Sequence, residues 1–378
     1  MNRIVALSTL GLALVAACSQ DHNVTGLAAD RAAGLNASAV ASTADAPGAV
    51  YALTNQASGN AVAIFARGAD GSLNWSSSVS TGGTGAGSGL GSQGAVALSD
   101  DGRWLFAVNA GSNDLSAFEV TASGLSLTSR VGSGGQRPIS LTVHGGVLYV
   151  LNAGGDGNIS GFNIGSDGEL AAIPGSTRAL SGTNVGPAQV AFSPNGAWLV
   201  VTEKTTNRLD VYTVDGAGIA SAATSTASAG GTPFGFSFGH RDELFVSEAA
   251  GSASSYVIAS DGSVTVASGA VLTHQGAPCW AVVTKNGKFG YTANAQGGSI
   301  SGFAVANDGS ISLIDADGRT AVVGGGNIDL ALSGNSRYLY QLNADRSISA
   351  FRIEADGHLT VAGRTSGMPA STVGLVAR

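Results

Sequence analysis

Cysteine is nearly absent from this chain: 378 residues contain two, Cys18 and Cys279. Two thiols cannot build a disulfide framework, so a fold of this length has to stand on a packed core. Charge is also scarce, at 11% of residues with a formal net charge of -7. No stripe of Lys and Arg appears, so nucleic acid is not an expected partner. The five His include no pair at metal-ligand spacing, and no metal or cofactor is expected. The Gly/Ser/Thr-rich stretch Gly82 to Gly91 lacks the Lys of a phosphate loop and reads as a flexible connection. What is abundant is glycine, 57 residues of it. Many Gly with few Glu and Lys point to short strands joined by tight turns, not to helices.

The first apolar run, Ile4 to Val15 behind Arg3, is too short to span a membrane and has the shape of an export signal. It ends at Val15-Ala16-Ala17-Cys18, which resembles the bacterial lipobox, with Cys18 as the lipidated residue. Ser19 next to it is compatible with sorting to the outer membrane. Residues 1–18 are therefore expected to be a lipoprotein signal, and 19–48, rich in Ala, Ser, Asp and Thr, a flexible tether. The expected location is the bacterial cell envelope, with a lipid anchor in the membrane and a monomeric globular part. With Cys18 assigned to the signal, Cys279 is expected to lack an intramolecular partner and to act as a small buried hydrophobe beside Trp280.

From residue 49 onward one phrase repeats. It is clearest in Gly186 to Gly218: a strand ending at the turn Ser193-Pro194-Asn195-Gly196, an apolar strand from Trp198 ending at Glu203, and an alternating strand ending at Asp215-Gly216. The residue that closes the second strand marks each copy: Asn55, Asn109, Asn152, Glu203, Glu248, Asn294 and Asn343. These marks lie 43 to 54 residues apart, close to the ~40–50 residues of a four-stranded propeller blade. Each third strand carries one aromatic: Phe65, Phe118, Phe162, Tyr212, Tyr256, Phe303 and Phe351. Such residues would pack between adjacent sheets. Only six copies begin with a first strand. The seventh, Ala370 to Arg378, stands alone at the far end and is expected to complete the blade begun at Val50. The expected fold is an all-β seven-bladed β-propeller over residues 49–378, closed so that no sheet edge remains open.

The phrases Leu98-Ser99-Asp100-Asp101-Gly102-Arg103-Trp104-Leu105 and Phe192-Ser193-Pro194-Asn195-Gly196, with the Asn or Glu marks and the Asp-Gly turns, carry a family resemblance. From about Ala49 to Arg378 the chain resembles the lactonase-type seven-bladed propellers, which include 6-phosphogluconolactonases and carboxymuconate cyclases. The resemblance implies an Arg-His pair after Gly-Pro in one first strand and a Glu closing the next strand. Arg would hold a carboxylate or phosphate, and His or Glu would move the proton that opens or closes a lactone. This chain keeps Gly186-Pro187 and Glu203 but has Ala188-Gln189 where the pair would stand. By resemblance Glu203 is the candidate acid/base, with Gln189 as the residue that would orient a ligand.

Two readings of the marks remain. Glu203 and Glu248, in neighbouring copies, would converge at the channel mouth and hold a cation or share a proton. Alternatively each caps its turn, as Asn does in the other copies, or pairs with Lys204 or Arg208. Arg137, Gln93, Gln189 and Trp280 fall near the starts of first strands, and His274 lies just before one. Pointing into the channel, they would suit a small polar or sugar-like ligand. The expected function is a ligand- or protein-binding propeller of the lactonase family, with ring opening or closure of a sugar-acid or carboxymuconate-type lactone as the alternative.

Overall fold

The computed structural model describes residues 46–378; the signal, Cys18 and nearly all of the tether lie outside the described residues. Seven antiparallel sheets follow one another around a common centre. We number them blades 1 to 7. Their innermost strands are Val373–Ala377, Val96–Leu98, Gln136–His144, Pro187–Phe192, Pro233–Phe238, Pro278–Val283 and Asn327–Leu332. Blade 1 takes its innermost strand from the C-terminus, as the sequence repeat predicts: Val50 pairs with Ala377 and Tyr51 with Val376 across Gly48–Leu53. Arg67 secures the seam, its Nε donating to the Arg378 carbonyl at 3.0 Å.

The core runs between blades, because each twisted sheet presents two apolar faces that only its neighbours can cover. All seven third-strand aromatics are buried. Phe303 of blade 6 meets Phe245 of blade 5 edge-on, with centroids 5.3 Å apart. Second-strand tyrosines add polar ties across the same seams. Tyr149 Oη donates to Gly218 O of blade 4 at 2.7 Å and accepts from Ala220 N, while Tyr291 Oη donates to Gly357 O of blade 7 at 2.7 Å.

The Asp-Gly turns explain part of the glycine content. In each, Asp accepts from the backbone two residues on, as Asp70 does from Ser72 N at 3.0 Å and Asp261 from Ser263 N at 2.9 Å. At Gly71, Gly168, Gly262 and Gly357 the Gly then sits at positive φ against a large ring of the preceding blade. A Cβ on Gly168 (φ 79°) would stand 2.2 Å from Trp104, and one on Gly71 (φ 84°) 2.3 Å from Tyr338. Conformation and space both demand glycine there.

Cys279 departs from expectation. It is disulfide-bonded, with its partner outside the described residues. Assigning the chain's other cysteine elsewhere had left it unpartnered on paper; its burial, with no exposed surface, is as expected.

Candidate functional site

The connection between blades 1 and 2 determines where a site can be. It is not a loose linker. Asn55 holds it with both ends of its amide, Nδ2 donating to Ser88 O at 2.7 Å and Oδ1 accepting from Ala86 N at 2.8 Å. Gly85 lies so close to Asn55 that a Cβ would be 2.1 Å from its carbonyl carbon. Glycine therefore serves close packing here. The chain then enters the centre of the propeller, where Leu90, Gly91, Ser92 and Gln93 are all buried.

These four residues plug the channel. Gln93 bonds both backbone groups of Ala281 in blade 6, Nε2 to the carbonyl at 2.8 Å and Oε1 from the amide at 2.9 Å. Its N–H donates to Ala188 O of blade 4 at 3.2 Å. Ser92 Oγ donates to Ile139 O of blade 3 at 2.8 Å, and Trp280 Nε1 donates to Ser92 O at 3.0 Å. Blade 5 supplies a notch: a Cβ on Gly235 would lie 2.1 Å from Gln93 Oε1. Gln93 and Trp280 thus build the plug instead of lining an open bore. Gln189 is a similar peg, bonding Phe236 N at 2.8 Å and Phe236 O at 3.0 Å in the next blade.

Above the plug is a pocket of about 320 Å³ whose floor is Leu90 and Gly91. Its walls are Arg137, Ile139, Ala153 and Gly155 to Gly157 from blade 3, and Asn184 to Pro187 with Lys204 from blade 4. The inner strands bulge as they enter this rim, between Pro138 and Ser140 and between Pro187 and Gln189. Arg137 precedes a proline yet has φ 52°, a left-handed conformation unusual for a non-glycine residue. It is held there as its N–H donates to Asn113 Oδ1 at 2.7 Å. Strain of this kind concentrates at binding sites.

Lys204 is the second cation of the pocket and was passed over in the sequence, where it figured only as a possible partner for Glu203. Its Nζ donates to Gly91 O and lies 4.9 Å from the centre of the Phe234 ring. Burial, and secondarily the charge of Arg137, lower its pKa from 10.5 to about 7. An amine in that state is partly neutral near pH 7. The signal that would have found it is alternation: Lys204 follows Glu203, so when one faces the blade seam the other faces the centre.

Glu203 faces the seam. It is fully buried and accepts from Ser181 N at 3.0 Å, Ser181 Oγ and Thr206 Oγ1. Ser181 and Thr206 line a different cavity, a groove of about 650 Å³ between blades 3 and 4 that also includes Arg178, Arg208 and Ser225. Beside Glu203 lies Asp210, whose pKa is raised to about 7 by burial and by its hydrogen bond and proximity to Glu203. Glu248 is likewise buried in its own blade, accepting from Ser228 Oγ, Gly230 N, Ser252 Oγ and Ser254 Oγ at 2.6 to 3.1 Å. Each Glu accepts from its own set of donors, whereas Asn109, Asn294 and Asn343 at the same point donate through Nδ2 to side-chain oxygens at the start of the next strand. His274 is exposed in the loop before blade 6 and is not among the residues that form the pocket. Of the residues singled out in the sequence, the structure brings only Arg137 to the pocket wall. Among the described residues no group of three or more His, Cys, Asp or Glu stands together as a metal site.

Fold and site together define a seven-bladed propeller with a plugged centre and a cationic pocket at one mouth. The family model "Lactonase, 7-bladed beta-propeller" matches residues 49–179 and 242–325, and the chain belongs to that family. No curated protein matches the chain. Among solved structures, a putative 6-phosphogluconolactonase from Bacteroides fragilis superposes with a TM-score of 0.70 at 18% identity, over 87% of this chain and 97% of its own. The periplasmic gluconolactonase of Pseudomonas aeruginosa gives 0.71 at 18% identity, over 87% and 98%. Hydrazine synthase of Kuenenia stuttgartiensis gives 0.55 at 15% identity, over 73% and 89%. At these identities the likeness concerns the fold alone.

Proposed function

We propose that this propeller binds a small sugar-acid-type anion, free or as its lactone, in the mouth pocket. The observation that supports this reading is the meeting of Arg137 and Lys204 over a closed floor. The Arg137 guanidinium, with the partly charged Lys204 amine beside it in a concave site, favours a carboxylate or phosphate, and the neighbouring Asn184 and the Gly155 to Gly157 backbone offer polar groups for hydroxyls. Binding is tested by calorimetric titration of the described part, residues 46–378, with D-gluconate and 6-phosphogluconate. We expect saturable binding that Arg137→Ala weakens at least tenfold. No heat with either acid, from a folded sample, removes the reading.

A second reading, ring opening of the bound lactone, is favoured by family membership and by one feature of the pocket. Lys204 has no carboxylate hydrogen-bonded to it and faces the same space as Asp156. The envelope location and the lipid anchor at Cys18 stay part of the proposal; with two cysteines in the chain, a lipidated Cys18 leaves Cys279 as a buried thiol, so the anchor and the disulfide exclude each other. Incorporation of labelled fatty acid into the full chain, and its loss in Cys18→Ala, is the expected result.

A further inference from the structure

The family resemblance assigns proton transfer to the Glu that closes the second strand of blade 4, here Glu203. In this chain that carboxylate is inside the seam, with its oxygens engaged by Ser181 and Thr206, away from the pocket that contains Arg137. One residue further the side chain turns to the other side. Lys204 lines the pocket, lies 8% exposed, and among the described residues has one hydrogen-bond partner, the Gly91 carbonyl. We propose that Lys204, not Glu203, is the general base of lactone opening in the mouth pocket. This rests on the ring-opening reading of that pocket.

Several observations support the assignment. The amine is desolvated and faces a guanidinium, the two conditions that leave a lysine neutral enough to accept a proton. Its neighbours are few: Arg137 from blade 3, Asp156 from the turn of blade 3, and the Phe234 ring from blade 5. The plug closes the space below it, so a ligand held by Arg137 lies beside the amine and is open to water only from the mouth.

The step balances without a further reagent. A water oxygen bonds to the lactone carbonyl carbon while one of its protons passes to the neutral Lys204 Nζ. The tetrahedral intermediate then collapses, the bond from that carbon to the ring oxygen breaks, and the ring oxygen takes the proton back from the Lys204 ammonium. The product is the open hydroxy acid, and Lys204 returns to its neutral state. With 6-phosphogluconolactone Arg137 retains the phosphate throughout; the carboxylate forms only as the ring opens.

The test uses the full chain with D-glucono-1,5-lactone and 6-phosphogluconolactone, spontaneous hydrolysis subtracted. Lys204→Gln retains a donor for Gly91 O, and its fold is checked by circular dichroism. We expect kcat to fall at least 100-fold in Lys204→Gln with KM changed much less, and wild-type kcat/KM to lose activity below pH about 7 as the amine protonates. A second readout does not depend on turnover. The chain has three lysines, Lys204, Lys285 and Lys288. Competitive acetylation followed by mass spectrometry should show Lys204 reacting with an apparent pKa near 7, and D-gluconate should protect it. Turnover that survives in Lys204→Gln and collapses in Glu203→Gln overturns the proposal. So does an acetylation profile for Lys204 that matches the two other lysines. Binding of gluconate without turnover on either lactone overturns the base assignment and leaves the anion pocket standing; absence of both binding and turnover removes the two together.

Discussion

Blades 4 and 5 place a glutamate at the same point, the end of the second strand, and satisfy it differently. Glu248 of blade 5 receives hydroxyls from Ser228, Ser252 and Ser254 and the Gly230 N–H, and Tyr256 Oη stands at 3.4 Å. Tyr256 is further anchored by Ala229 N at 2.8 Å. In blade 4 the position equivalent to Ser254 is Asp210, paired opposite Val201 as Ser254 is opposite Val246. Four of the other five blades have serine there, Ser116, Ser160, Ser301 and Ser349, and blade 1 has Val62. Blade 4 has therefore replaced a hydroxyl donor by a second carboxyl, and Tyr212 Oη, equivalent to Tyr256 Oη, is buried without a partner. A buried carboxylate needs donors. Blade 5 provides them as hydroxyls; in blade 4 Ser181 and Thr206 provide them, and a second carboxyl, Asp210, stands beside Glu203 with its pKa raised by burial and by that neighbour. The family match also breaks here, its two segments flanking residues 180–241.

The same amide substitution tests this contrast most strongly in blade 5. In Glu248→Gln an NH₂ would face donors it cannot accept from, inside a fully buried site. We expect a loss of about 3 kcal/mol in urea unfolding followed by circular dichroism. A midpoint within error of wild type would mean that the donors around Glu248 rearrange freely, and the comparison between blades would fail.

Next in size is the contact that joins the two blades. Gly262 of blade 5 has φ 83°, and a Cβ there would lie 3.0 Å from the Trp198 ring of blade 4. Gly262→Ala should lower stability by about 2 kcal/mol through backbone strain and crowding. Thermal unfolding checks it. An unchanged Tm would show that the turn can lift off the ring, so that blades 4 and 5 are not locked to each other at that seam.

The pH dependence isolates blade 4. Burial and the neighbouring Glu203 push the Asp210 carboxyl up to about 7 in the folded chain, from the ordinary 3.8. Between those values the folded chain holds a proton that the unfolded chain has released. The contribution is thus full below pH about 4 and is lost as pH rises toward 7, at no more than about 1.4 kcal/mol per pH unit. Burial raises the Asp329 carboxyl of blade 7 in the same direction, and Lys204, lowered to about 7, gives the opposite slope above that pH. Asp210→Ser, which installs the residue of blade 5, should flatten the fall between pH 4 and 7 without touching the other two slopes. Equal slopes in wild type and variant would place the proton elsewhere.

How far the sequence discloses this depends on the scale of the pattern. The marks, the third-strand aromatics and the lone C-terminal strand disclose all seven blades and their closure, because each blade repeats the same burial problem. The site is a different matter. Arg137 is visible as an arginine before Pro138 at a strand start. Lys204 is not, since reading it needs the knowledge that Glu203 faces the seam. The plug is hidden more deeply. Gly82 to Gly91 reads as a linker by composition, and only the tertiary partners of Asn55, Gly235 and Ala281 show that its glycines permit close approach and that Gln93 reaches across the centre. Composition reports local freedom, and contacts between distant blades override it.

The smallest expected effect is the most discriminating. Glu203→Gln is the counterpart of Glu248→Gln, but its surroundings differ in sign. Gln Oε1 can keep the bonds from Ser181 Oγ and Thr206 Oγ1, which share one oxygen of Glu203, while Gln Nε2 loses the bond from Ser181 N and can donate to the Asp210 carboxyl. The new donor beside Asp210 offsets part of that loss, so stability at pH 7 should fall by about 1 kcal/mol, well short of Glu248→Gln. The decline between pH 4 and 7 should weaken as in Asp210→Ser. A loss at pH 7 as large as that of Glu248→Gln would mean that Glu203 is held by donors alone, and that the two blades solve the buried glutamate in the same way after all.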